Sequence, residues 1–332
     1  MCILIINKWI IKNDLEKFLF NSSLIDELCR CKYEISNTKE ITNEFKKLII
    51  DDKNFEKNLD SKPYLMFFNN GVYDFVTFTF RPFSPEDMNS FTLDYDYVLE
   101  YSCHIQDLTK CIQDILPDIN VKNFMMKLIS TRCVNINKEQ FATFIIGSGN
   151  NGKTILEWLV EITFGNYSTR ITNGLLSEEI DQENIEHNYE LISLNNKNST
   201  VCCFEDEKIN VNTLKLLMGH KSIITRNSHQ LTRIEIIPNF KLTVHSNRMP
   251  MFDSELDDET KSRVVCIPFN TVFVENPEKE NERKIDREIH NKLKLWKQDF
   301  MLLLIQFYKL YCIEGLDIPF DVLKFTNECF KK

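Results

Sequence analysis

An α/β fold, built on a central sheet flanked by helices, follows from three observations. An apolar run, Phe141–Ile146, leads straight into Gly147-Ser-Gly-Asn-Asn-Gly152, and this leads into the amphipathic run Ile155–Val160. From Phe141 to about Phe273, strand-like apolar runs alternate with helical periodicity and connecting loops, the order of a chain with helices packed on a sheet. On either side, apolar residues recur mostly at i, i+3 and i+4. The sequence therefore predicts a mostly helical N-terminal accessory domain over 1–135, a core over 136–275 and a helical C-terminal segment over 276–332.

Taken in order, residues 1–58 read as helical, with helical spacing clearest over Asn13–Phe20 and Thr42–Ile50. Tyr64–Phe80 is rich in aromatic and β-branched residues around Asn70-Gly71, the signature of two strands and a tight turn. Two prolines make Arg81–Asp87 a loop, and Ile105–Leu116 and Ile119–Val134 return to helical spacing. Within the core, Thr200–Phe204, Lys241–Ser246 and Val264–Phe269 read as strands. Residues Glu278–Cys312 carry a stripe of Leu293, Leu295, Trp296, Phe300, Leu303, Leu304 and Phe307, which predicts one long packed helix. A short last helix spans Asp321–Phe330.

Composition narrows the class. With 332 residues, 43% hydrophobic and 27% charged, the chain resembles a globular protein of two or three domains. No apolar stretch is long enough to cross a bilayer, and Lys8 and Lys12 follow the apolar Met1–Ile6, the reverse of a secretion signal. Eleven cysteines in such a chain, without paired metal-site spacing, predict free thiols in a reducing intracellular compartment and no membrane partner. A net charge of −9 does not argue for nucleic acid, yet a ring needs positive charge only along its pore.

The chemistry is concentrated in Gly147–Thr154, a G-x-x-x-x-G-K-[ST] sequence between a strand and a helix. The chain has 8 glycines, and three of them fall here. Backbone N–H groups of Gly147, Ser148, Gly149, Asn150, Asn151 and Gly152 are suited to enclose a polyphosphate at a helix N-terminus. Lys153 would reach the β- and γ-phosphates and Thr154 would ligate Mg²⁺. ATP and Mg²⁺ are the expected cofactors. About fifty residues on, the strand Thr200–Phe204 ends in Glu205-Asp206-Glu207, acids placed to hold the Mg²⁺ shell and to polarise an attacking water. Asn247 ends another strand, where an amide orients water beside a γ-phosphate, and Arg263 precedes Val264–Phe269.

Taken together, the order Gly147–Thr154, Phe204–Glu207, Asn247-x-x-Pro250 and Arg263 strongly resembles superfamily 3 helicases, the AAA+-type hexameric motors of DNA viruses and mobile elements. In particular it looks like the poxvirus-type primase-helicases of large nucleocytoplasmic DNA viruses. Asn70–Asp74 with Arg81–Asp87 is similar to the accessory region before their ATPase core, and Gly315–Pro319 with Phe320–Thr326 to the way that core ends. The resemblance implies ATP-driven translocation on single-stranded DNA in viral replication, in host cytoplasm or at a viral replication site. It implies a homo-oligomeric ring, a hexamer in the family, and a primase on a separate or longer chain. It also implies Lys153 and Thr154 for triphosphate and Mg²⁺, and Glu205 and Asp206 as the Walker B pair, Asp206 on the metal. Asn247 would be sensor 1, and Arg263 a finger reaching a neighbour's ATP. It implies a pore hairpin with Ile223–Arg226 and Arg233–Ile237 as its strands, Lys221 before the first and His229 at the tip, both on DNA. Two rivals stand beside this reading. A diverged paralogue could bind nucleotide as a structural subunit, as Gly219-His220-Lys221, where relatives show Gly-Gly-Asp, would allow. A phosphate-loop ATPase or kinase acting on protein or metabolite is the other.

Overall fold

The structure of the chain, a computed structural model, describes residues 58–180, 189–205, 207–219, 221–226 and 233–331. These belong to two units, Met1–Ser61 with Phe83–Met88, and Lys62–Pro82 with Asn89–Lys332. In the first unit, Ser84 opens a 3₁₀ turn over Pro85–Asp87, and the Asp87 carboxylate accepts from the Ser84 N–H at 2.9 Å. The helices expected up to Asn58 lie almost wholly outside the described residues.

The larger unit opens with an antiparallel meander of β1 (Leu65–Phe68), β2 (Gly71–Asp74) and β3 (Thr79–Arg81). The first two strands meet at the expected turn, with Phe68 opposite Gly71. A third strand replaces the expected two-strand reading. The Asp74 carboxylate accepts from the N–H groups of Val76 and Thr77, and Phe78 takes φ 56°, folding the chain back onto β2. Helices α1 (Ile105–Ile115) and α2 (Ile119–Ser130) follow. Asp118 caps α2 by accepting from the N–H groups of Asn120 and Val121.

The chain then runs through β4 (Ala142–Ile146), α3 (Lys153–Phe164), β5 (Ser168–Ile171), α4 (Asn173–Ser177), α5 (Tyr189–Ser193) and β6 (Ser199–Cys203). After β7 (Lys208–Ile209) and α6 (Val211–Met218) comes the hairpin of β8 (Ile223–Arg226) and β9 (Arg233–Ile236). Next are β10 (Lys241–Ser246), β11 (Met251–Phe252), α7 (Asp258–Ser262) and β12 (Val264–Pro268). The last elements are β13 (Val272–Val274), β14 (Glu282–Lys284), α8 (Ile289–Glu314) and α9 (Phe320–Cys329). Five strands form a parallel sheet in the order β12-β4-β10-β6-β5, so β10 is inserted between the first and third strands of the core.

Period-two alternation covers both faces of that sheet. Ala142, Phe144, Leu242, Val244, Val264 and Cys266 point into one cluster with Leu214, Leu217 and Phe240. Ile145, Val265 and Ile267 face the other, with Leu156, Trp296, Phe300 and residues of α2. Helix α8 packs on α3, α2 and α1. Helix α9 covers the β12 edge, where the Thr326 hydroxyl accepts from the Cys266 N–H at 2.9 Å. At the opposite end of the strands, the buried Arg132 guanidinium donates to the hydroxyls of Ser199 and Thr243.

One expected element changes. The long C-terminal helix starts at Ile289, not near Glu278. Residues 278–284 offer no apolar stripe, and Glu282–Lys284 instead pairs in parallel with Val272–Val274. Among the described residues no helix is long and apolar enough to cross a membrane. None of the eight described cysteines is joined in a disulfide.

Candidate functional site

Parallel strands bring their carboxyl ends to one edge, and the register fixes which residues emerge together. Ile146 lies beside both Ser246 and Pro268, and Cys203 beside His245. The residues that follow these strands are Gly147, Asn247, Phe269 and, after Phe204, Glu205. In open α/β sheets this edge is where ligands bind.

Gly147–Gly152 forms a tight loop between β4 and α3. The Gly147 N–H donates to Ser246 O at 3.3 Å, and the Gly149 N–H to Gly147 O at 3.0 Å. A Cβ on Gly147 would stand 2.6 Å from Phe269 O, and one on Gly152, at φ 81°, would stand 2.7 Å from the Ile115 side chain. Both positions therefore require glycine. Asn151 is buried and anchors the loop, donating to Phe269 O at 3.3 Å and accepting from the Lys153 N–H at 3.4 Å. The exposed Ser148 and Asn150 complete the rim. The N-terminus of the twelve-residue α3 thus faces the loop, with Lys153 first and the exposed Thr154 second.

The Lys153 ammonium donates to Gly147 O and to the Asn247 amide oxygen, the latter at 3.4 Å. Burial pulls its pKa down, and the Glu205 carboxylate pushes back. Lys153, Asn247 and Glu205, widely spaced in sequence, therefore share one site. Asp206 and the hairpin tip with His229 lie outside the described residues. Lys221 is exposed just before β8. The base of the hairpin is anchored by Ile223 and Ile236, both in the sheet's core cluster.

Arg263 is elsewhere. It stands at the start of β12, where its carbonyl accepts from the Ala142 N–H at 2.9 Å, at the far end of β4 from Gly147. Its guanidinium pairs with Glu259 at 2.7 Å. Within one chain it does not reach the loop Gly147–Gly152.

Sequence reasoning missed two features. The first is a buried polar cluster behind the loop. Glu157 lies 2.9 Å from the Arg170 guanidinium and 3.4 Å from His245 Nδ1, and it accepts from the Cys203 thiol at 3.9 Å. Burial raises the Glu157 carboxyl to about 7, against the pull of Arg170. Burial, with the cations Lys153, Arg132 and Arg170, lowers His245 to about 3, so its imidazole is neutral. A lone acid within Leu156-Glu-Trp-Leu-Val160 was the available signal.

The second is a cavity of about 550 Å³ that shares Asn150, Gly152 and Ile155 with the loop. Its other walls include Asp114 of α1, Phe273 of β13, and Ile289 and Trp296 of α8. That volume suits a small organic ligand. Among the described residues no group of three or more His, Cys, Asp or Glu side chains forms a metal site. The hydroxyl of Thr154 and the carboxylate of Glu205 at this edge are hard oxygen donors. They fit Mg²⁺, which is commonly held by few protein ligands plus phosphate and water.

Comparison with known proteins adds the following. Residues 2–164 match the family model described as "D5 N terminal like". A protein of Acanthamoeba polyphaga mimivirus named as a helicase is 30% identical over 297 residues, 85% of this chain and 30% of its own length. Another helicase-named protein, of Invertebrate iridescent virus 3, is 29% identical over 246 residues, 70% of this chain and 26% of its own. Primase D5 of fowlpox virus is 22% identical over 306 residues, 85% of this chain and 37% of its own. The chain thus spans well under half of each of these relatives. Among solved structures, the apo structure of the NrS-1 C-terminal region matches with a TM-score of 0.53 at 16% identity, covering 81% of this chain and 58% of that one. This shows a shared fold.

Proposed function

Since the chain belongs to the poxvirus-type primase-helicase family of large DNA viruses, we propose that it is an ATP-dependent superfamily 3 helicase with an AAA+-type core, acting in viral DNA replication. The observation that carries this reading is the meeting of Lys153 with Asn247 and Glu205 at the carboxyl edge of a parallel sheet, against the loop Gly147–Thr154. The loop N–H groups and Lys153 bind the β- and γ-phosphates, and the cavity beside Gly152 takes the nucleoside. Thr154 and Asp206 would hold Mg²⁺, which would supply charge neutralisation at the transferring phosphoryl group.

Asn247 orients a water in line with the γ-phosphorus. Glu205 accepts that water's proton as its oxygen bonds to phosphorus and the β–γ bridging bond breaks, leaving ADP and phosphate. Arg263 is proposed to act on the ATP of a neighbouring subunit, consistent with its distance from its own loop. Contacts of that head-to-tail kind close into a ring, and a hexamer is the proposed size. Lys221 and His229 would grip the backbone of single-stranded DNA in the pore, without reading sequence. A primase, on a separate or longer chain, is the proposed partner.

The test is ATP turnover by the purified chain with and without single-stranded DNA. Turnover stimulated by DNA is expected, and Lys153→Ala should remove most of it because charge developing on the phosphates is left unbalanced. A Lys153→Ala variant as active as the parent would refute the reading.

A further inference from the structure

The helix that bears Lys153, the strand that leads to Asn247 and the strand that leads to Glu205 are separate elements, and one buried side chain of that helix touches both strands. Glu157 sits one helical turn beyond Lys153 on α3, and its residue is 4% exposed. Its Oε2 lies 3.4 Å from Nδ1 of His245, two residues before Asn247 on β10. Both its oxygens lie 3.9 Å from the Sγ of Cys203, two residues before Glu205 at the end of β6. Its Oε1 lies 2.9 Å from Arg170 of β5, which Glu161 also holds, at 2.7 Å. Side chains two residues apart on a strand share a face, so His245 and Cys203 mark the side of the sheet on which α3 packs. His245 Nδ1 is buried without a formed hydrogen bond, and Glu157 is the polar group beside it.

We propose that Glu157 is a positioning residue for ATP hydrolysis. Its carboxyl group ties the helix bearing Lys153 and Thr154 to the strands bearing Asn247 and Glu205, and so sets the spacing between the phosphate grip and the water-handling groups. This role rests on the hydrolytic reading of the same site. It places no atom of Glu157 on substrate. Loss of the carboxyl group lets α3 move relative to β10 and β6, and a displacement near 1 Å in such a site can lower rate on the order of 10²-fold. Phosphate binding itself depends on the loop N–H groups and Lys153, which Glu157 does not touch.

The experiment compares Glu157→Ala and Glu157→Gln with the parent chain in steady-state ATP hydrolysis, with Mg²⁺ and single-stranded DNA, alongside thermal unfolding and direct ATP binding. Expected for Glu157→Ala is a fall in kcat of at least about tenfold with KM for ATP nearly unchanged, the pattern of an interaction lost after binding. Glutamine keeps the shape, an acceptor for Arg170 and a donor for His245, so Glu157→Gln should recover most of the lost kcat. An alanine variant with parental kcat overturns the proposal while leaving the hydrolytic reading intact. Loss of ATP binding together with an early melt, not restored by glutamine, assigns Glu157 to folding alone and also overturns it. A parent chain that binds ATP without ever hydrolysing it removes both.

Discussion

A carboxyl group whose pKa rises to about 7 on folding makes stability depend on pH with a definite sign. Between the ordinary value of 4.5 and about 7, the folded chain keeps a proton on Glu157 that the unfolded chain has released. Its contribution is therefore fully present below 4.5 and is lost as pH rises towards 7, by at most about 1.4 kcal/mol per pH unit. His245, lowered to about 3, works in the opposite direction, favouring the fold above its ordinary 6.5 and less so as pH falls. Comparing wild type with Glu157→Gln cancels the histidine contribution to first order. Unfolding midpoints measured at pH 5, 6, 7 and 8 should show wild type falling behind the glutamine variant up to about pH 7, then running parallel to it. A constant offset across that range would place the proton elsewhere. Glu205, by contrast, is exposed at the strand end, where it faces Lys153 rather than the core.

Elements announced themselves in the sequence wherever a side-chain pattern builds them. The strand before Gly147 and the helix after it were legible from periodicity and from glycines that the loop geometry demands, whereas both strands of the β8–β9 hairpin were placed by the family resemblance. Strand β14 was not, because Glu282–Lys284 pairs through its backbone and its charged side chains signal only exposure. The Glu157 cluster escaped for a different reason. Its partners Arg170, Cys203 and His245 come from three strands, and only the crossover order of the sheet brings them to one helix. The hairpin yields the prediction at this scale. Ile223 and Ile236 hold its base in the core, so substitutions at the exposed Lys221 before it or at the tip should leave the fold intact. Lys221→Ala and His229→Ala, made separately, should weaken single-stranded DNA binding and uncouple unwinding from hydrolysis while basal ATP turnover persists. Unchanged DNA affinity and unwinding in both would make the hairpin a solvated surface feature.

Across the whole molecule, the separation of Arg263 from Gly147 along one sheet makes a subunit incomplete under the proposed function. Arg263→Ala alone should bind ATP nearly as well as wild type yet hydrolyse it poorly, since fingers of this kind contribute on the order of 10³–10⁵ in rate. The Glu259 ion pair must open for this to happen, which would reduce the effect. Mixing Arg263→Ala with Lys153→Ala should restore some turnover, because some interfaces then join an intact lysine to an intact arginine. An inactive mixture, with co-assembly shown by sizing, would leave Arg263 a local partner of Glu259. The cavity beside Asn150 and Gly152 has another consequence. Asp114 and Trp296, which help to wall it, belong to helices separated by the entire core sequence. A nucleotide filling it would join these two helices across a very long loop, as a removable cross-link would, whereas a bare polyphosphate gripped only by Gly147–Thr154 would reach neither. At equal saturation, about 100-fold above each dissociation constant, both ligands contribute about 2.7 kcal/mol by mass action. The distinction therefore appears in where protection falls. In hydrogen exchange, ATP should slow opening of α1 and the first turns of α8 together, and tripolyphosphate only that of the loop and α3. Equal protection by the two ligands would mean that the two ends of the core are not fastened through the nucleotide.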